Sequence, residues 1–295
     1  MKIAVIGANG QLGSDVVRSF WSNGDEIYSL THRDIELTSI DSVSKPLRDI
    51  MPHVVVNTAA MHHLEDCERE PEKAYGVNGL GARNLSLISR ELGAVLMHVS
   101  TDYVFDGSKD SPYEEEDAPQ PLNVYGNTKL AGENFVRCTV DRHFVLRTSA
   151  IYGKSPCRAK NGLNFVELML TLARERGKVR VVADEFVTPT WTTELARQMV
   201  VLSRSDCYGL YHATAEGGCS WYEFAREIFA LTNTRVNLEV AAPNEFPTKV
   251  PRPKYSVLEN RALKAQGLNM FGSWQSALQN YLRRPAGQRV AGAID

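Results

Sequence analysis

A chain of 295 residues is long enough for one large domain or two modest ones. With 43% hydrophobic residues, 23% charged residues and a formal net charge of −2, it reads as a soluble globular protein, with no basic stripe for a nucleic acid polymer and no acidic tail. No apolar run approaches the ~18 residues of a membrane span, and the opening run 2–7 is too short for a signal peptide. Five cysteines (Cys67, Cys138, Cys157, Cys207, Cys219) are scattered without a C-x-x-C, so we expect a cytoplasmic protein with reduced thiols, no disulfide frame and no zinc site.

Residues 3–6 are a short apolar, β-branched run and predict a buried strand. Gly7-Ala8-Asn9-Gly10-Gln11-Leu12-Gly13 follows, then Val16, Val17 and Phe20 at helical spacing. Strand, glycine loop and helix in that order suit a dinucleotide, because glycines permit a tight turn and bring backbone close to a pyrophosphate at a helix N-terminus. The spacing of Gly7, Gly10 and Gly13 is G-x-x-G-x-x-G, which a simple tight turn would also satisfy. Residues 26–30 predict the second strand, which ends in Thr31-His32-Arg33. A carboxylate there would grip the ribose 2′-hydroxyl of NAD. The hydroxyl of Thr31 and the cation of Arg33 instead suit the 2′-phosphate of NADP, so NADPH is favoured over NADH, with Asp34 and Glu36 as the nearby acids.

Residues 54–57 predict a third strand, ending in Thr58-Ala59-Ala60, whose small side chains let a flat cofactor lie close. His62 and His63 then stand among carboxylates. Adjacent histidines do not share a helix face, so a loop rimming the substrate pocket is preferred to a metal site. One long helix is expected over 71–91, with Pro71 in its first turn. Residues 95–99 predict a fourth strand running into Ser100-Thr101-Asp102-Tyr103-Val104-Phe105-Asp106-Gly107. Carboxyl ends of strands line the crevice of an open parallel sheet, which places the Thr101 hydroxyl where it can donate to a substrate carbonyl. After a surface loop over 111–121 comes Tyr125-Gly126-Asn127-Thr128-Lys129. A tyrosine and a lysine four apart lie on one helix face, and a neighbouring cation lowers a phenol from its usual pKa of ~10, making Tyr125 a usable proton donor near neutrality. Taken alone, Y-x-x-x-K also describes a solvated helix face.

Residues 144–148 predict another strand, followed by Ala150-Ile151-Tyr152-Gly153, and there the regular alternation ends. The second half reads as a polar loop over 155–163, a helix over 164–176, a strand over 179–182 and a helix running from Thr188-Pro189-Thr190 to Ser203. A short strand follows over 209–212, then a capping box at Ser220-x-x-Glu223 that opens a helix to Leu231. A proline-rich stretch over 243–253, a last helix marked by Trp274, Leu278 and Leu282, and a frayed tail beyond 284 complete the chain. The pattern predicts an α/β protein. A Rossmann-type doubly wound parallel sheet occupies 1–150, completed by parts of 179–205. A smaller, mixed α/β substrate-binding domain occupies most of 151–295 and interleaves with the first.

The glycine loop, Ser100-Thr101-Asp102 and Tyr125-x-x-x-Lys129 together resemble the extended short-chain dehydrogenase/reductases, and within them the dTDP-4-dehydrorhamnose reductase family. The run 100–107 and the run Pro121-Leu122-Asn123-Val124-Tyr125-Gly126-Asn127-Thr128-Lys129-Leu130-Ala131-Gly132-Glu133 carry the likeness, supported by Arg147-Thr148-Ser149, Arg252-Pro253 and Ser256-Val257-Leu258. The resemblance implies reduction, by NADPH or NADH, of a 4-keto group on a nucleotide-linked deoxysugar for polysaccharide biosynthesis. It implies catalytic roles for Thr101, Tyr125 and Lys129, and diphosphate contacts from Gly10, Gln11 and Leu12. It further implies cofactor contacts from Ala59, Ala60, Met61 and Val99, adenine contacts from Glu36 and Leu37, and substrate contacts from Thr101, Asp102 and Arg252. The family usually shows Trp at Ala150, beside the sugar, Thr-Ala at His62-His63 and Asp at Glu65, so Ala150 and His62 are expected to reshape the sugar pocket. Family members often form homodimers, some with a divalent ion at the subunit contact; no residue here signals either. Two readings on the same scaffold stay open: an epimerase or dehydratase with tightly held NAD, and a non-catalytic NADP-binding subunit like the regulatory subunit of methionine adenosyltransferase.

Overall fold

The computed structural model describes residues 1–156, 162–242, 245 and 250–283. The chain runs β1 (Lys2–Ile6), α1 (Gln11–Ser22), β2 (Glu26–Leu30), α2 (Ile40–Ile50), β3 (Val54–Asn57), short helices α3 (Leu64–Arg69) and α4 (Pro71–Tyr75), a π-helical turn (Gly76–Leu80), α5 (Gly81–Leu92), β4 (Val95–Thr101), α6 (Val124–Thr139) and β5 (His143–Thr148). It continues through β6 (Ile151–Tyr152), α7 (Phe165–Arg176), β7 (Lys178–Val181), β8 (Phe186–Val187), β9 (Thr190–Trp191), α8 (Thr192–Ser203), β10 (Gly209–His212), β11 (Cys219–Ser220), α9 (Trp221–Leu231), β12 (Asn237–Val240), α10 (Arg261–Ala265) and α11 (Trp274–Arg283).

Six strands form one parallel sheet in the order β2-β1-β3-β4-β5-β10. The chain leaves β1 for β2 on one side and returns to β3 on the other, so the strand order reverses between β1 and β3. A crevice opens at the carboxyl ends of the strands at such a reversal. Ile3, Ala4, Val5 and Ile6, like Val54, Val55 and Val56, are buried along their whole length, as a sheet covered on both faces requires. Leu12, Val16 and Phe20 of α1 pack with Leu195 and Met199 of α8 on one face. Leu47 of α2, Leu85 of α5 and Val136 of α6 cover the other. A separate cluster joins α7, α9 and α11 around Met169, Phe224, Trp191, Trp274 and Tyr281, beside the parallel pair β7–β12 and the antiparallel pair β8–β11.

Two departures from the sequence reading have local causes. The helix expected over 71–91 is broken by the π-helical turn. That wide turn aims the buried Asn78 amide at a neighbouring loop, where its Oδ1 accepts from Met61 N–H (2.9 Å) and its Nδ2 donates to the Met61 carbonyl (2.8 Å) and to Thr128 Oγ1 (3.0 Å). Helix α2 was not expected at all, because Pro46 interrupts it and its remaining residues are largely polar. Ser39 caps it, and only Val43, Leu47 and Ile50 are buried, a stripe that tertiary packing reveals. The capping box at Ser220 and Glu223 is present as expected, and Asn164 with Glu167 makes a second. The polar loop over 155–163 and the proline-rich stretch over 243–253 lie partly outside the described residues, and the tail beyond 284 wholly so. Among the described residues no helix is long and apolar enough to cross a membrane.

Helix α6 approaches the sheet through two glycines. A Cβ on Gly126 would stand 2.2 Å from the Tyr103 carbonyl oxygen, and one on Gly132 would stand 2.5 Å from the Asn78 carbonyl oxygen and 3.3 Å from His98 Nε2. Backbone oxygens cannot swing aside as a flexible side chain can. Gly132→Ala is therefore expected to cost ~1–3 kcal/mol by overpacking, read as a lower urea midpoint with an unchanged slope.

Candidate active site

The Asn123 side chain accepts from Gly126 N–H (2.8 Å) and caps α6, which places Tyr125 in the first turn and Lys129 one turn later on the same face. One turn further on, the buried Glu133 carboxylate receives Arg147 Nε (3.0 Å to Oε1), Arg147 Nη2 (2.7 Å to Oε2) and the Ser100 hydroxyl (2.5 Å). Residues from β4, β5 and α6 thus meet at one carboxylate.

A cavity of about 750 Å³ opens at the carboxyl ends of the strands. Gly7, Gly10, Gln11, Leu12 and Gly13 border it from the β1–α1 loop, Thr31, Glu36 and Leu37 from the segment after β2, and Ala59 and Ala60 after β3. Val99, Thr101 and Asp102 reach it from the end of β4, Tyr125 and Lys129 from α6, and Ala150, His62 and Arg252 complete the expected set. Two expected residues do not line it. Arg33 is exposed, and His32 borders the cavity in its place. Met61 turns its backbone to the Asn78 amide, which takes both its N–H and its carbonyl.

The glycine loop fits a dinucleotide. Gly7 has φ +79, and a Cβ there would stand 2.9 Å from Thr58 Oγ1 and 3.0 Å from Ala59 N. A Cβ on Gly13 would stand 2.1 Å from the Gly7 carbonyl oxygen. Helix α1 has 12 residues, Gly10 as its N-cap, no side-chain cap and no acid in its first turn. Its first amides and the positive end of its dipole therefore border the cavity with no carboxylate from their own turn, as suits a diphosphate.

Both groups of the tyrosine–lysine pair are shifted mainly by burial. Burial pushes the Tyr125 phenol well above its usual pKa; the neighbouring Thr101 hydroxyl pulls it partly back, and the Asp102 charge pushes it up again. Lys129 Nζ donates to the Val99 carbonyl (2.6 Å) and lies 3.4 Å from His98 Nε2. Burial lowers its pKa to about 8, against a smaller upward pull from Glu133. The expectation that Lys129 acidifies Tyr125 is therefore not met: desolvation dominates, the lysine is not among the groups that lower the phenol, and the phenol stays protonated at neutral pH. That is the form a proton donor needs. Thr101 Oγ1 accepts from Tyr103 N–H (3.2 Å) and donates to Asp102 Oδ1 (3.1 Å), while Asp102 Oδ2 accepts from Ser149 (2.9 Å) and Ser256 (2.6 Å). The Asp102 carboxylate borders the cavity but is occupied by these three hydroxyls, and through Thr101 it orients the groove beside Tyr125.

Phe165 and Trp221 also border the cavity, with ring centroids 4.6 Å apart. Sequence reading passed over both. The available signal was an aromatic residue as the first residue of a capped helix, after Asn164 in α7 and after Ser220 in α9. His63 lines the cavity as well, its Nδ1 lying 3.1 Å from Asp66 Oδ2.

The family model for the RmlD substrate binding domain matches residues 1–286 of this chain. The chain belongs to the RmlD family. It is 39% identical over 282 residues to the spore coat polysaccharide biosynthesis protein SpsK of Bacillus subtilis, covering 96% of this chain and 97% of that protein. Among solved structures, it is similar to a dTDP-4-dehydrorhamnose reductase from Clostridium acetobutylicum (TM-score 0.91, 37% identity, 96% of this chain and 98% of that one). It is also similar to the dTDP-4-dehydrorhamnose reductase of Bacillus anthracis in complex with NADP (TM-score 0.90, 36% identity, 95% and 98%). Within this family frame, Ala150 stands at the cavity wall with φ +44, a left-handed backbone that costs a non-glycine residue on the order of 1 kcal/mol.

Burial lifts the Asp102 carboxyl from 3.8 to about 6, more strongly than its three hydroxyl partners lower it. The folded protein holds that proton more tightly than the unfolded chain, so Asp102 weakens the fold as pH rises from about 4 to about 6, and the effect is complete above that range. At ~1.4 kcal/mol per pH unit the loss is ~3 kcal/mol. Asp102→Asn should therefore gain about that much stability relative to the parent between pH 4 and pH 7, measured as the difference of two urea titrations. A difference that stays flat with pH would place the carboxyl in water.

Proposed function

We propose that this chain reduces the 4-keto group of a dTDP-linked 6-deoxysugar with NADPH, acting in the cytoplasm to supply a sugar for a surface polysaccharide. One observation carries the reading: a protonated phenol, Tyr125, with the Thr101 hydroxyl beside it, borders the same cavity as the uncapped, glycine-opened start of α1. The activities of the relatives support it, and so does the NADP held by the Bacillus anthracis reductase. The name of SpsK supports the polysaccharide context.

Bound in the cavity, a reduced nicotinamide would supply hydride to the ketone carbon. The amides of Gly10, Gln11 and Leu12 would hold its diphosphate, and Ala59 and Ala60 would lie beside it after β3, a reading supported by their place in the cavity wall. Tyr125 gives its proton to the ketone oxygen, and the Thr101 hydroxyl, turning its proton away from Asp102 Oδ1, donates a hydrogen bond to the same oxygen as charge gathers there. Lys129, near its own pKa at neutral pH, offers positive charge to the phenolate left behind. Gln11 Nε2 donates to the Ser155 carbonyl (3.3 Å), tying the segment after β6 to the diphosphate loop. The preference for NADPH rests on Thr31 and His32 at the cavity, where the turn after β2 brings an imidazole beside a threonine whose hydroxyl donates to Asp34 Oδ2 (2.8 Å), with Glu36 further along the same wall. Family likeness further supports a homodimer, which sedimentation would read directly.

The test is a panel of nucleotide-linked 4-ketosugars with NADPH, followed by loss of the reduced-nicotinamide absorbance. Tyr125→Phe should lose ~10²–10⁴ in kcat while binding NADPH as the parent does. Near-normal turnover in a folded Tyr125→Phe protein would remove Tyr125 from the chemistry. Sugar conversion with no net loss of NADPH would instead point to an epimerase, and a stable protein partner with no activity on any sugar to a binding subunit. Thr31→Asp should set a carboxylate against the 2′-phosphate, raising the KM for NADPH by ~10-fold or more while sparing NADH. Equal effects on both cofactors would place the 2′-phosphate elsewhere.

A further inference from the structure

Asn57, the last residue of β3, pairs with His98 on β4, and both side chains are buried. Asn57 Oδ1 accepts from the Ala59 N–H (3.1 Å), which settles which way the amide faces. Its Nδ2 then points at His98 Nδ1, 3.0 Å away. An amide NH₂ can only donate, so Nδ1 presents its lone pair. Burial, and secondarily the nearby Lys129, holds the His98 pKa well below the usual value, so the ring is neutral. A neutral imidazole with a bare Nδ1 carries its proton on Nε2. That nitrogen lies 3.4 Å from Lys129 Nζ, whose other bond goes to the carbonyl of Val99, the next residue along β4.

We propose that His98 is a positioning residue for Lys129: held by Asn57 as the Nε2–H tautomer, it turns an N–H rather than a lone pair towards the lysine nitrogen and so favours the neutral amine. The other titratable groups around Lys129 do not reverse this. Glu133, one turn along α6, attracts positive charge, but Arg147 from β5 and the Ser100 hydroxyl already occupy its carboxylate. Tyr125, one turn before Lys129, is a protonated phenol, and Asp102 after β4 is engaged by Thr101, Ser149 and Ser256. The string Ala59–Asn57–His98–Lys129 thus runs from the wall of the cavity beside β3 to the lysine. It gives that lysine a proton affinity that one hydrogen-bond inversion can raise. What Lys129 then does with its charge rests on the reductase reading; the tautomer does not.

Long-range ¹H–¹⁵N correlation of the imidazole nitrogens of the parent protein, with His98 assigned through its own backbone resonances, reads the tautomer without substrate or cofactor. The expected result is a neutral ring protonated at Nε2 from pH 6 to pH 8. A proton on Nδ1, or an imidazolium at pH 6, overturns the proposal. In His98→Gln the side-chain oxygen can accept from Lys129, so the alkaline limb of kcat/KM for NADPH oxidation should move up by about one pH unit, a ~10-fold gain in proton affinity. A limb that stays in place or moves down in a folded His98→Gln protein also overturns it. Absence of NADPH oxidation in the parent with every ketosugar would defeat the reductase reading and leave the tautomer result standing.

Discussion

The placement of α6 depends on one buried ion pair. Glu133 and Arg147 are almost wholly out of water, with a bidentate contact between them and the Ser100 hydroxyl on the same carboxylate. The Arg147 guanidinium also lies over the Phe105 ring, 5.1 Å from its centroid. Such a pair need not add net stability, because desolvation offsets much of its attraction. Losing one partner is another matter and costs ~3–5 kcal/mol, since a charge is left alone in low dielectric. The pair therefore acts as a register pin. It allows one rotation and one depth of α6 against β4 and β5, and Gly126 and Gly132 make that depth sterically possible. Lys129 and Tyr125 inherit their position from it, one and two turns towards the helix start.

Depth in turn sets the electrostatics of the groove. Pulled in this close, the phenol and the amine both lose water, and each drifts towards its neutral form. A spacing argument alone predicts the opposite sign for Tyr125, because it counts the cation and leaves out the solvent. The neutral phenol is the form that can hand over a proton, so the desolvated pair is matched to reduction of a ketone. The Asp102 carboxyl follows the same logic, raised by burial and kept in place by hydroxyls on Thr101, Ser149 and Ser256, the last from a segment 154 residues away in the chain.

The cavity owes its place to topology. Strand order reverses between β1 and β3, and the loops that follow these two strands sit against each other, Gly7 beside Thr58 and Ala59. The second half of the chain then brings Phe165, Trp221 and Arg252 to that crevice, so one end is built from the sheet and the other from the cluster around α7, α9 and α11.

Much of this was written in local sequence. The apolar run and glycine spacing at 3–13, the Ser100-Thr101-Asp102 turn and the Tyr125–Lys129 interval are short-range patterns whose geometry follows from strand, turn and helix periods. The same holds for the capping box at Ser220 and Glu223, since a cap is satisfied within one turn. What the tertiary structure decided was of another kind. The break at Gly76–Leu80 answers to Met61 and Thr128, the exposure of Arg33 to the path of the turn after β2, and the protonation of Tyr125, Lys129 and His98 to water excluded by segments distant in the chain. Periodicity and capping act over a few residues and can be read off a string of letters. Desolvation and the choice of hydrogen-bond partner depend on everything within a few ångströms, and only the folded chain brings those groups together.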